Sequence, residues 1–186
     1  MNVAQQLTLE EITEVTEHEN KYPIIIEPAG DGQHSSLIID MGKEITGFPV
    51  IELESEQADT IVDLGYCENL IEGKVAAATG NSNNFADRII LKKGKQKYES
   101  AFWWKGYRYL KVTIRNQTGR LKINRITYRQ HHYPLKEIGQ IQSYDRRLNE
   151  IWQVGINTLK CCMNESYMDC PSREQALFLG DMVVES

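Results

Sequence analysis

The hydrophobic period changes once along this chain, and that change limits what it can fold into. From Ser36 to about Gln130, apolar residues recur at every second position or in short runs, as in strands. After Tyr133-Pro134 they recur at intervals of three and four, as in helices. The expected architecture is therefore mainly β: an antiparallel, jelly-roll-like sandwich followed by two helices. The boundary is expected near Leu135, giving a sandwich over 1–135 and a helical part over 136–186.

Within the first part, Leu37-Ile38-Ile39 forms an apolar run. Gly42 and Gly47 are expected to bracket a turn before a strand over Val50–Glu54. Thr60–Tyr66 places Val62, Leu64 and Tyr66 on one face. Ile89-Ile90-Leu91 precedes a turn at Lys93-Gly94-Lys95. Strict alternation over Tyr107–Arg115 puts Arg108, Leu110, Val112 and Ile114 on one side, with Tyr107 and Tyr109 on the other. Leu121–Arg129 repeats the pattern. Asn69–Phe85 reads as a long polar loop, Leu9, Ile12 and Val15 as a helical turn, and Tyr22–Glu27 as a strand.

In the second part, Leu148, Ile151, Trp152, Gly155, Ile156, Leu159, Cys162 and Met163 form one stripe, predicted to face a core. Ser143 or Asp145 can cap its start. Pro171 breaks the helix by disfavouring α geometry at Cys170. Ser172-Arg173-Glu174-Gln175 has the form of a capping box, which predicts a second helix from about Arg173 to the end. So short a helix pair cannot bury its own stripe. Leu148, Ile151, Trp152 and Phe178 are expected to stay partly uncovered and to promote self-association.

Charge bears on partners. The 186 residues carry a net charge of -5, with no basic cluster denser than Arg146-Arg147 or Lys92-Lys93, so nucleic acid is not expected as a partner. No apolar run approaches a membrane span, and Met1–Glu11 lacks the features of a signal peptide, so a cytoplasmic location is the expectation. Cys67, Cys161, Cys162 and Cys170 lack CxxC spacing and read as reduced thiols, a metal site with His131 or His132 being the alternative. His18, His34, His131 and His132 read as solvent-facing or turn residues, with His131-His132 at the domain junction and without a visible partner. Asp63 and Glu68 offer oxygen ligands but no calcium-loop spacing, and no cofactor is expected.

The chemistry-bearing segment is Asp169-Cys170-Pro171-Ser172-Arg173-Glu174-Gln175, continuing to Gly180-Asp181. Two carboxylates and a guanidinium fall within six residues at a helix break. Asp181, seven residues beyond Glu174, is expected on a similar side of the second helix. Glycoside hydrolysis needs such convergence: one carboxyl protonated for the leaving oxygen, another charged to activate water or attack. The alternative is an acidic pair favoured by the helix dipole, with Arg173 as a surface partner.

Tyr167–Ala176, running through Phe178-Leu179-Gly180-Asp181, resembles the Asp-Cys-Pro-(Ser/Gln)-Arg-Glu...Trp...Asp motif of bacterial α-L-rhamnosidases. Asp40–Phe48 and Phe102–Tyr109 resemble that family's Asp-x-Gly-x-x-x-x-Gly and aromatic-x-x-Gly-(Phe/Tyr)-Arg-Tyr strands, in the family's order. The resemblance implies a β-sandwich followed by an (α/α) six-hairpin barrel and hydrolysis of a rhamnose-containing glycan or glycoside with inversion. By residue, it implies Glu174 as general acid and Asp169, Arg173, Phe178 and Asp181 around the sugar. Phe178 departs from the usual Trp, and Leu177 from a common Gly. The family's general base is a Glu much further along the barrel. The expectation is a fragment that lacks the remainder of the catalytic domain and is inactive alone. The alternative is a non-catalytic sandwich module that binds carbohydrate or protein; Trp103, Trp104, Tyr107 and Tyr109 could stack on sugars there, but are expected rather to fill the sandwich core or cover an interface.

Overall fold

The computed structural model describes residues 2–8, 11–12, 18–19, 22–30, 32–75 and 85–185, the first three stretches and residue 185 as backbone alone. The strands are β1 (Asn2–Thr8), β2 (Glu11–Ile12), β3 (His18–Glu19), β4 (Ile24–Ile26), β5 (Ser35–Ser55) and β6 (Ile61–Cys67). They continue with β7 (Leu70–Ile71), β8 (Lys74–Val75), β9 (Ala86–Ile90), β10 (Gly94–Glu99), β11 (Lys105–Arg115) and β12 (Leu121–Gln130). Two helices follow, α1 (Arg146–Cys162) and α2 (Leu179–Glu185).

The strand β5 organises the sandwich because it belongs to both of its sheets. Its first half lies between β1 and β11, and the array continues from β11 to β6 and β9. Its second half lies between β10 and β12, with β4 beyond β12. All these pairs are antiparallel. The core draws on both halves: Leu37, Ile39, Ile51 and Leu53 of β5 pack with side chains of β4, β6, β11 and β12. A strand that bends from one sheet into the other makes the corner of such a sandwich.

The turn expected between Gly42 and Gly47 is absent: β5 runs on through it. The physical reason is a bulge. On β11, Tyr107 pairs with Ile45 and Tyr109 with Asp40, so the intervening residues of β5 are looped out opposite Arg108. Gly42, at φ 83°, supplies the left-handed residue that this needs.

The same irregularity corrects the face assignment on β11. Tyr107 is fully buried among Leu110, Val112 and Ile114, whereas Arg108 and Tyr109 are half-exposed. The alternation of β11 breaks where the looped-out residues of β5 disrupt the ladder, so Tyr107 is buried while Tyr109 is not. The Tyr107 ring meets Tyr66 edge to face at 5.0 Å, but its hydroxyl is buried without a hydrogen-bond partner. Tyr107→Phe is therefore expected to stabilise the fold by about 1 kcal/mol, seen as a higher urea midpoint at unchanged slope.

Elsewhere Val62, Leu64 and Tyr66 share the core face as expected, each at most 1% exposed. Ile24–Ile26 forms the strand expected there, while Ile12 lies in a strand rather than a helical turn; Leu9 and Val15 fall outside the described residues. The segment after Asn69 contains the β7–β8 hairpin before the chain leaves the described residues at 76–84. No described helix is long and apolar enough to cross a membrane.

Candidate active site

The helix α1 starts where Asp145 accepts a hydrogen bond from the Arg147 N–H at 2.9 Å, so Asp145 is the cap and Ser143 supports it by accepting from the Asp145 N–H. Only the end of α1 meets the sandwich. There the Asn157 amide donates to the Glu44 carbonyl at 3.0 Å, and Cys161 and Cys162 are buried. The apolar stripe stays partly uncovered as expected, Leu148 being 52% and Ile151 66% exposed, while Cys162 at its end is buried.

After α1 the chain turns back. The Met168 N–H donates to the Cys162 carbonyl, and the Met168 side chain is buried with Phe48 and Trp104 of the sandwich. Asp169 then closes an eight-residue loop. Its N–H donates to the Ala176 carbonyl, and its carboxylate accepts from the Ala176 N–H, both at 3.0 Å.

The capping box and the long second helix are not formed. Ser172 donates to Glu68 rather than bonding the loop's own backbone, and Gln175 donates to the Pro171 carbonyl at 2.7 Å. Gln175 has φ 52°, which stops helical propagation, so α2 begins only at Leu179. Consequently Glu174 and Asp181 do not share a helix.

Within the loop, the Cys170 thiol stands between two carboxylates, 3.3 Å from Asp169 and 3.2 Å from Glu174. The Arg173 guanidinium pairs with Glu174 at 2.6 Å. Arg173 first, and the thiol second, pull the Glu174 carboxyl down to about 2. Burial is the main cause pushing the Cys170 thiol up. Ligand atoms of Asp169, Cys170 and Glu174 lie within 4.8 Å of one another, near enough to share an ion, but the guanidinium already offsets the acidic charge.

Two hollows meet at Asp169. One, of about 670 Å³, runs between α1 and α2, with Ile151, Trp152, Ile156, Leu159 and Val184 as its apolar wall and Asp169 and Asp181 as its acids. The other, of about 450 Å³, lies against the sandwich and is lined by Glu44, Glu68, Asn69, Arg108, Asp169 and Cys170. Phe178, 51% exposed, and the Arg173–Glu174 pair line neither. The structure thus joins Asp169 to Asp181 through one hollow and to Glu174 through the thiol.

Sequence reasoning missed Glu44. Burial is the largest cause raising its carboxyl to about 8, Glu68 adds to the rise, and Arg108 opposes it. One of its carboxyl oxygens is buried without a hydrogen-bond partner. No local pattern marks this, because the burial comes from α1, more than a hundred residues away. A further correction concerns the junction, whereas the buried rings take the structural role expected of them. His131 pairs with Glu165 at 3.0 Å and packs edge-on against Phe48, so it has the partner that the sequence did not reveal. Trp104 is buried against the loop and Trp103 is half-exposed beneath the Lys105 ammonium.

Carboxyl groups beside hollows of sugar size are what glycoside chemistry requires. Comparison with known proteins narrows this. A family model described as the bacterial alpha-L-rhamnosidase concanavalin-like domain matches residues 31–132. A second, described as the bacterial alpha-L-rhamnosidase 6 hairpin glycosidase domain, matches residues 136–186. The chain belongs to the bacterial α-L-rhamnosidase family.

Among solved structures, it is similar to a GH78 family rhamnosidase of Bacillus sp. GL1, with 32% identity and a TM-score of 0.82 over 94% of this chain and 18% of that one. A rhamnosidase from Klebsiella oxytoca with rhamnose bound matches with 20% identity and a TM-score of 0.75, over 99% of this chain and 38% of that one. An α-L-rhamnosidase from Dictyoglumus thermophilum shares the fold at 20% identity and a TM-score of 0.61, over 82% of this chain and 17% of that one. The chain thus spans well under half the length of each. No curated protein sequence matches it.

Proposed function

We propose that the chain supplies the sandwich, 1–135, and the first helices of the catalytic domain, 136–186, of an enzyme that hydrolyses terminal α-L-rhamnosides with inversion. The observation that carries this reading is the loop in which Asp169, the Cys170 thiol and Glu174 cluster under Arg173, with Asp181 facing Asp169 across a hollow. The rhamnose bound by the Klebsiella oxytoca rhamnosidase supports a rhamnose-containing glycan or glycoside as substrate.

In this reading Glu174 protonates the leaving oxygen, and Asp169, Arg173, Phe178 and Asp181 hold the sugar. A carboxyl held near 2 by Arg173 carries no proton at neutral pH. Donation therefore requires the guanidinium to turn from Glu174 to the sugar, which raises the acid as substrate binds. Inversion needs a second carboxylate about 6.5–9.5 Å away to activate water. The family resemblance supports a base further along a helical barrel than residues 136–186, and the isolated chain is proposed to be inactive.

The test joins the chain to the rest of a helical domain from a matching rhamnosidase and follows release from an aryl α-L-rhamnoside. The chain alone is expected to release nothing. In the joined protein, Glu174→Gln is expected to lower kcat by roughly 10²–10⁴-fold. Hydrolysis by the chain alone, or full activity in the Gln variant, overturns the assignment. A second reading, a glycan-binding sandwich, draws on the full exposure of Phe102 and the half-exposure of Trp103. It predicts glycan binding that Trp103→Ala abolishes and Glu174→Gln leaves intact.

A further inference from the structure

The acid loop is held from outside itself. Gly106, the second residue of β11, lies directly under Pro171: a Cβ built there would stand 2.8 Å from the proline Cβ, 2.7 Å from its carbonyl carbon and closer still to the carbonyl oxygen. These are backbone and ring atoms, so no side chain fits unless the loop lifts. The floor cannot give way, because Gly106 pairs with Thr46 of β5 between the buried Lys105 and Tyr107. One residue further along the loop, the Ser172 hydroxyl donates to Glu68, just past the end of β6. At the loop's start, Met168 is wedged with Phe48 and Trp104.

We infer that the sandwich positions the acid loop, with Gly106 and Glu68 as positioning residues that set Asp169 and Glu174 through Pro171 and Ser172. Neither is hydrogen-bonded to the two carboxylates. Each holds the loop two residues from one of them, Pro171 from Asp169 and Ser172 from Glu174. A displacement of about 1 Å at a reacting group is enough to cost about a hundredfold in rate, so this anchoring matters to the chemistry proposed above, on which its functional meaning rests.

The Cys170 thiol, lying between the two carboxylates, reports on the loop. Iodoacetamide labelling of the whole chain, read residue by residue by mass spectrometry across pH, gives its rate and midpoint, with the buried Cys67 showing whether the sandwich stays closed. Glu68→Ala and Gly106→Ala are expected to speed labelling of Cys170 roughly tenfold and lower its midpoint, the factor that goes with losing a charge-assisted hydrogen bond. Glu68→Gln keeps an acceptor for Ser172 but removes the charge, and is expected to stay within about twofold of the parent, separating anchoring from electrostatics. Unchanged Cys170 labelling in Glu68→Ala, or a Gln variant as fast as the Ala one, overturns the inference. If Gly106→Ala exposes Cys67, the Glu68 pair decides alone. No sugar enters this measurement, so its failure is distinct from failure of the rhamnosidase assignment, which the Glu174→Gln rates judge.

Discussion

Gly47→Ala is expected to cost about 3 kcal/mol of stability, lowering the melting temperature by roughly 6–12 °C. Gly47 sits where β5 pairs with the last residue of β12 on one side and the first of β11 on the other. A Cβ there would lie 2.5 Å from the Arg129 carbonyl oxygen and 3.1 Å from both its carbon and the Tyr128 ring. Arg129 is held in the ladder with Phe48, so its carbonyl moves only if the two sheets separate at the corner. Overpacking against backbone is the costly kind, since no rotamer change relieves it. Gly155, inside α1 with open space where its Cβ would be, is the control. Gly155→Ala should raise stability slightly, by up to about 1 kcal/mol, through helix propensity alone. A Gly47→Ala protein that melts with the parent would mean the corner is not closed in solution.

Glu44→Gln is expected to remove most of a decline in stability between pH 5 and pH 8. The Glu44 carboxyl is raised to about 8 from its ordinary 4.5, burial being the main cause. The charged groups around it are Glu68, which raises it further, and Arg108, which lowers it but is committed to Asp40 through two bonds of 2.9 Å. Across the interface stands Cys161, itself pushed up to about 12 by burial first and by Glu44 second. The buried Tyr107 hydroxyl feels Glu44 as well.

The sign follows from linkage. A carboxyl that holds its proton more tightly folded than unfolded favours the fold fully below pH 4.5, and this advantage is lost as pH rises through 8. At about 1.4 kcal/mol per pH unit the whole effect is at most about 5 kcal/mol, or roughly 10–20 °C in melting temperature. Glutamine mimics the protonated form, so the difference between variant and parent should widen with pH across this window. Parallel melting curves from pH 5 to pH 8.5 would count against a buried, protonated Glu44. His34, held below its ordinary value mainly by burial, opposes the trend in the parent but cancels in that difference.

The residues explain which features were legible beforehand. Val62, Leu64 and Tyr66 were placed correctly from alternation, because a strand's side chains point to opposite faces whatever surrounds it. Alternation alone puts Tyr107 on the wrong face, because a bulge depends on the register of a partner strand some sixty residues away and nothing in Lys105–Arg115 announces it. Ser172–Gln175 carried a valid capping pattern, yet the loop won. Glu68 competes for the Ser172 hydroxyl, and Asp169 competes for the Ala176 backbone. The period of the α1 stripe marks it as helical, but only a partner can bury it, and the sandwich touches just the helix end.

By itself the sequence determined the change from period two to period 3.6, the sandwich-then-helix order, and the acids and arginine at 169, 173, 174 and 181, all properties of neighbouring residues. The tertiary structure alone decided that burial raises the Glu44 carboxyl, that Tyr107 faces the core and that the acid loop rests on Gly106. Each of these depends on desolvation or steric contact between segments distant in the chain, and so no local pattern encodes it.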